Sequence, residues 1–209
     1  MSDGIRTTKT DLKKDLRSYR ARRGSFEIVE VPPMQYLMID GHGDPNGQEY
    51  ADAIATIFPV AYRLKFTSKN ESDRDYVVMP LEALWWSDDM ATFTSDRDKS
   101  RWDWIALNLV PEWISDDQFS RALGAASDAP ALDRLRLETL SEGRCVQTLH
   151  LGPFDDEGPV LDAMHHDFIP AHGLRMRGKH HEIYLSDIRR TDPSKRRTIL
   201  RQPVEDAPM

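Results

Sequence analysis

Two stretches of strict alternation stand out in the chain. In VVMPLEALWW (77–86) every second residue points the same way, with Glu82, Leu84 and Trp86 on one side and Ala83 and Trp85 on the other. In RWDWIALNLV (101–110), Trp102, Trp104, Ala106 and Asn108 share one face, and Ile105, Leu107 and Leu109 share the other. All five tryptophans fall between residues 85 and 113. The aliphatic face reads as the one that packs on a helix. The aromatic face then needs a different partner, and Glu82 on the neighbouring strand favours a ligand over a second core.

The remaining elements follow from periodicity and punctuation. FEIVEV (26–31) and MQYLMID (34–40) read as strands separated by Pro32 and Pro33. GHGDPNG (41–47) is a turn without dinucleotide or Walker spacing. Residues 48–66 carry a helical stripe through Tyr50, Ala53, Ile57, Ala61 and Leu64, with a kink expected at Pro59. TSKNESDRD (67–75) reads as a polar loop. Helices are expected over 114–127, capped by Ser115, over 129–143, and over 159–173 with Pro159 at its start. Strands are expected over 144–152, 179–187 and 198–204, followed by a loosely held tail.

This order repeats. QYLMIDGHGDPNGQEYADAI lies against VQTLHLGPFDDEGPVLDAM, VVMPLEALWW against KHHEIYLSD, and RWDWIALNLVPE against KRRTILRQPVE. The fold expected is α+β: a tandem, pseudo-twofold repeat of strand–helix–strand–strand units with antiparallel sheets, helices on the outer face and a central cleft. Residues 1–24 would be a basic lead-in, and 25–205 one domain whose repeats (25–113 and 144–205) are bridged by 114–143. The cleft would lie on the helix-free faces. Parity then nominates Tyr36, Met38, Glu82, Leu84, Trp86, Trp102, Trp104 and Asn108 from the first repeat, and His180, Glu182 and Tyr184 from the second. Trp85 is expected in the core.

Composition narrows the possibilities. The formal net charge is −7, and residues 1–23 hold eight basic and three acidic side chains. An acidic body would repel phosphate, so no nucleic-acid partner is expected. No apolar run approaches the roughly 20 residues of a membrane span, and no signal-peptide core opens the chain, so a cytoplasmic location and no membrane partner are expected. The single cysteine, Cys145, rules out an internal disulfide. Adjacent histidines (His165–His166, His180–His181) point apart on regular elements, so no metal and no cofactor is expected.

Taken together, PPMQYLMIDGHGDPN, AYRLKF, VVMPLEALWW, RWDWIALNLVPEW and HHEIYLSDIRR, with the lead-in DLKKDLRSYR, resemble the GyrI-like small-molecule-binding family. That family includes drug-binding domains of multidrug-responsive transcription activators. No helix-turn-helix pattern precedes the domain, so an activator role is not expected. The resemblance implies a cleft for hydrophobic, often cationic aromatic compounds. Its stand-alone branch includes hydrolases that open the cyclopropane of cyclopropylpyrroloindole antibiotics, through a cleft glutamate at the position that Glu182 fills here. On that reading Glu182 acts as a general base on a water or positions it, and Tyr184, two residues on, is placed to donate to a developing oxyanion or phenolate. Glu82 is either a counter-charge for a cationic ligand or the partner of an arginine such as Arg101. Non-catalytic sequestration and a protein-interaction role of the topoisomerase-inhibitor kind are the alternatives.

Overall fold

The computed structural model describes residues 9–93 and 98–208. The first eight residues of the basic lead-in, residues 94–97 and Met209 lie outside them. Nine strands form one antiparallel sheet: β1 (Glu27–Val31), β2 (Met34–His42), β3 (Glu82–Trp86), β4 (Asp103–Leu109), β5 (Arg136–Leu140), β6 (Gly143–Leu151), β7 (Leu174–Met176), β8 (His180–Tyr184) and β9 (Arg197–Asp206). The order is β1-β6-β9-β8-β3-β4-β2-β5, with β7 paired to β9. It reads symmetrically about the β3·β8 pair, where Ala83 lies opposite Glu182 and Leu84 opposite His181. The expected repeat therefore appears as two three-stranded units, β2/β3/β4 and β6/β8/β9, fused edge to edge.

Chain length forces this sheet to curl. In a flat sheet β1 and β2 would lie six strand spacings, about 29 Å, apart. Pro32 and Pro33 alone join them, a link that reaches at most about 11 Å. The same holds for β5 and β6, joined by Ser141 and Glu142. The two margins therefore meet, and the concave face closes over one apolar cluster with Val31, Tyr36, Met38, Leu84, Leu107, Leu109, Cys145, Ile183 and Ile199 inside. The lead-in covers part of it. Its short helix α1 (Leu12–Asp15) and the turn Arg17–Tyr19 bring Leu12, Leu16 and Tyr19 onto this cluster. Its carbonyls are held by the body, Ser18 by Arg201 (2.6 Å) and Arg20 by Gln147 (3.0 Å).

Both helical layers sit on the convex face. Helix α2 (Gln48–Ser72) runs unbroken through Pro59 and packs Tyr50, Ala53, Ile57, Ala61 and Leu64 on Leu37, Ile39, Ala83, Trp104 and Ala106. Helix α3 (Asp116–Gly124) begins with a full capping box between Ser115 and Gln118. In the second half, α4 (Gly158–Asp162), a π-helical turn (Ala163–Phe168) and α5 (Ile169–Ala171) form one continuous rod. It places Met164 and Ile169 on Val146 and Leu200.

Several expectations need correction. Residues 67–72 continue α2 rather than forming a loop. The helix expected over 129–143 is a 3-10 turn followed by β5, because β2 offers an open edge to Arg136–Leu140. The tail is not loose: β9 reaches Asp206, and β7 pairs with it. The faces of β4 are also reversed. Its tryptophan face packs against α2, and its aliphatic face lines the closed concave core. The small residues of α2, Ala53 and Ala61, leave room for indole rings that a leucine-rich helix would exclude.

Gly41 shows how tightly this is fitted. It lies opposite Trp104 across the β2·β4 pair, and a Cβ there would overlap the indole. Gly41→Ala is expected to destabilise the fold by about 1–3 kcal/mol, read as a lower urea midpoint, through overpacking against the fully buried Trp104 ring.

Candidate functional site

Between the starts of the two helical layers, the convex face opens into a cleft of about 320 Å³ over the β3·β8 pair. The paired turns form its rims: Pro45 and Asn46 ahead of α2, and Pro153 and Phe154 ahead of α4. Glu182 and Tyr184 rise from β8 into its floor, with Trp85 beside them on β3, Tyr50 from the first turn of α2, and Trp102 just before β4.

The polar atoms form a chain. Trp85 Nε1 donates to the Tyr184 hydroxyl at 3.1 Å, which donates to Glu182 Oε2 at 2.7 Å. Among the described residues Glu182 Oε1 accepts no hydrogen bond, and His180 Nε2 stands 3.7 Å from it. The Glu182 side chain is only 14% exposed. Burial, then the charge of Glu182, holds the Tyr184 phenol well above its ordinary pKa, so it remains a donor. Tyr50 is raised for the same two reasons. The rings meet at angles: Tyr50 on Trp85 at 5.7 Å, Trp85 on Trp102 at 5.8 Å and Phe154 on Tyr184 at 5.4 Å. The result is an aromatic box with one carboxylate oxygen turned inward.

The residues nominated from the sequence divide between two faces. Glu182, Tyr184 and Trp102 meet at the cleft. His180 lies behind Glu182, its ring 6.0 Å from that of His165 on the π-helical turn. Trp104 shares the convex face but is fully buried under α2, edge-on to Tyr50 at 4.8 Å. Asn108 is also buried, and its amide donates to the carbonyls of Met79 (2.7 Å) and Pro80 (3.1 Å). Tyr36, Met38, Glu82 and Trp86 lie on the concave side, separated from Glu182 by the sheet. The expectation that the cleft lies on the helix-free faces is thereby corrected.

Glu82 is fully buried and does not pair with Arg101, which pairs with Asp89 at 3.4 Å. It accepts from the Tyr19 hydroxyl and contacts His181 Nε2 at 3.0 Å. His181 Nδ1 lies 3.0 Å from Glu142, whose other oxygen takes Arg201 at 2.8 Å. His181, Glu82 and Arg201 are wholly buried. Burial pulls the His181 imidazolium down, but Glu142 and Glu82 outweigh it and hold its pKa at about 9. Burial pushes Glu142 up, and His181 and Arg201 override it to about 2.

Trp85 packs in the core as expected and also lines the cleft, whereas sequence reasoning missed Tyr50 and Phe154 as cleft residues. The matched turns of the repeat carried the signal: once GHGDPNG and GPFDDEG are paired, both rims of one cleft follow. Among the described residues no group of three or more histidine, cysteine, aspartate or glutamate side chains could hold a metal ion, and no helix is long and apolar enough to cross a membrane.

Comparison with known proteins fits this geometry. The GyrI-like small molecule binding domain matches residues 25–205. An uncharacterized conserved protein from Listeria innocua is similar in structure, with 36% identity, a TM-score of 0.85, and coverage of 94% of this chain and 100% of that one. A hydrolase from Listeria innocua is 35% identical, with a TM-score of 0.82 and the same coverage. The EcmrR C-terminal domain shares the fold at 13% identity and a TM-score of 0.55, over 88% of this chain and 98% of that one. No curated protein matches.

Proposed function

The chain belongs to the GyrI-like small molecule binding domain family, and from that premise we propose that its cleft takes up hydrophobic, planar aromatic compounds and hydrolyses electrophilic ones. The substrate class we assign is the cyclopropylpyrroloindole type. The observation that carries this reading is the Trp85–Tyr184–Glu182 hydrogen-bonded chain inside an aromatic box. The hydrolase from Listeria innocua, similar over its whole length, supports a hydrolytic activity.

The chemistry follows from the arrangement. Trp85, Trp102 and Phe154 offer ring surfaces to a flat polycycle. Tyr184 holds Oε2 of Glu182, which leaves Oε1 to take a proton from a water molecule. The water oxygen bonds to the strained methylene carbon as the cyclopropane C–C bond breaks. The released electron pair moves into the conjugated dienone and becomes a phenolate, which takes a proton from solvent, while Glu182 gives back to solvent the proton it accepted. The strain of the ring supplies much of the driving force, so one positioned base is sufficient.

Incubation with a cyclopropylpyrroloindole, followed by mass spectrometry, tests this directly. The expected result is conversion to the water adduct well above the uncatalysed rate. Quenching of tryptophan emission with the compound recovered intact would instead establish binding without reaction and remove the hydrolase reading.

A further inference from the structure

A second cavity, of about 400 Å³, opens on the concave side, across the sheet from Glu182. Leu84 and Trp85, consecutive on β3, reach the two cavities in turn. The second has an apolar floor of Met38, Leu84, Ile105 and Leu140. Its mouth carries Arg177 and Lys179.

The charges that line this cavity are unevenly paired. Three acids and three bases line it. Arg136 is engaged by both Asp40 and Glu138. Glu142 is engaged from inside by His181 and Arg201. That leaves Arg177 and Lys179 with no carboxylate at ion-pair distance among the described residues. Arg177 donates to the backbone carbonyls of Glu142 and Val204, which fixes its position without neutralising it. The Lys179 ammonium lies over the Trp86 ring, 3.4 Å from its centroid. Burial lowers the pKa of that lysine, against the pull of Asp40, so its charge is held in a partly desolvated place where a neighbouring anion would be favourable.

We propose that this cavity is a second small-molecule site, selective for amphiphilic monoanions: a compact apolar body on the Met38–Leu84–Ile105–Leu140 floor and one carboxylate between Lys179 and Arg177. A cation of the same size would find no counter-charge in Arg177 and Lys179, and the lining acids are already engaged. The inference is independent of any hydrolysis at Glu182.

Isothermal titration of the full chain with 1-naphthoate tests it, with 1-naphthalenemethanol and 1-naphthylmethylammonium as neutral and cationic probes. One saturable site for naphthoate is expected, with the two other probes displacing it at least about tenfold more weakly, whatever they bind in the Glu182 cleft. Lys179→Met should weaken naphthoate at least about tenfold, whereas Lys179→Arg should retain it. Glu182→Gln, across the sheet, should leave it unchanged. Absence of saturable binding, displacement of naphthoate by either other probe at comparable concentration, equal affinity in Lys179→Met, or loss of binding in Glu182→Gln would each overturn the proposal.

Discussion

Glu182→Gln is expected to lower ring-opening turnover by about two to four orders of magnitude while the cleft still binds the compound. Glutamine keeps the size of the side chain, and its amide oxygen still accepts from the Tyr184 hydroxyl, which donates to Oε2 at 2.7 Å in the native protein. What it loses is the ability to take a proton. The effect should therefore fall on kcat and leave tryptophan quenching by bound ligand nearly as it was. Tyr184→Phe is the informative companion. It frees Oε2 and leaves Trp85 Nε1, 3.1 Å from the lost hydroxyl, without its acceptor. A loss of about tenfold to a hundredfold is expected, because a hydrogen bond to a charged group is worth about 1.5–3 kcal/mol. A Glu182→Gln protein that turns over at the native rate would exclude Glu182 as the base.

Sequence and structure agree where each signal has one physical meaning. Element order, the repeat and the alternation of β2, β3, β4 and β8 are read directly from period-2 patterns and turn residues. Placing the cleft needs one more fact, namely which face the helices cover, and alternation is silent on that. The rule that an aliphatic face meets a helix fails for β4 because the concave face is itself closed. Two-residue links at 32–33 and 141–142 curl the sheet, and the lead-in covers part of what remains. The link at 32–33 is visible in the sequence, the one at 141–142 is hidden inside an expected helix, and the meaning of both depends on strand order, which is a long-range property. Residues 129–143 misled for a similar reason. LDRLRLETL fits a helix locally, and only the free edge of β2 makes its second half a strand. Glu82 misled most, since a carboxylate among tryptophans looks like a ligand partner until Tyr19, sixty-three residues earlier, is found bonded to it.

That buried network should dominate stability. Arg201→Met is expected to cost about 3–5 kcal/mol in urea unfolding, because Glu142 would keep a buried charge without its guanidinium partner. The carbonyl of Ser18 would also lose its donor, loosening the lead-in. The pH dependence follows from signs. His181 is held charged up to about 9, against an ordinary 6.5, so its contribution is full below about 6.5 and is lost as pH rises through 9. That corresponds to about 3 kcal/mol. On the acid side two groups act. His165, pulled down to about 3 by burial and then by His180, is neutral in the fold, while the unfolded chain takes up its proton below 6.5. Glu142, held at about 2 against an ordinary 4.5, loses its contribution as pH falls from 4.5 through 2. Stability should therefore peak near pH 6.5 and fall on both sides. His181→Gln is expected to be less stable throughout and to flatten the limb between pH 6.5 and 9, since the group that titrates there is gone. Urea midpoints measured at half-unit steps across that range decide the matter. A native protein whose midpoint is level from 6.5 to 9, or a His181→Gln protein that keeps the native slope, would show that His181 is not held charged by Glu142 and Glu82.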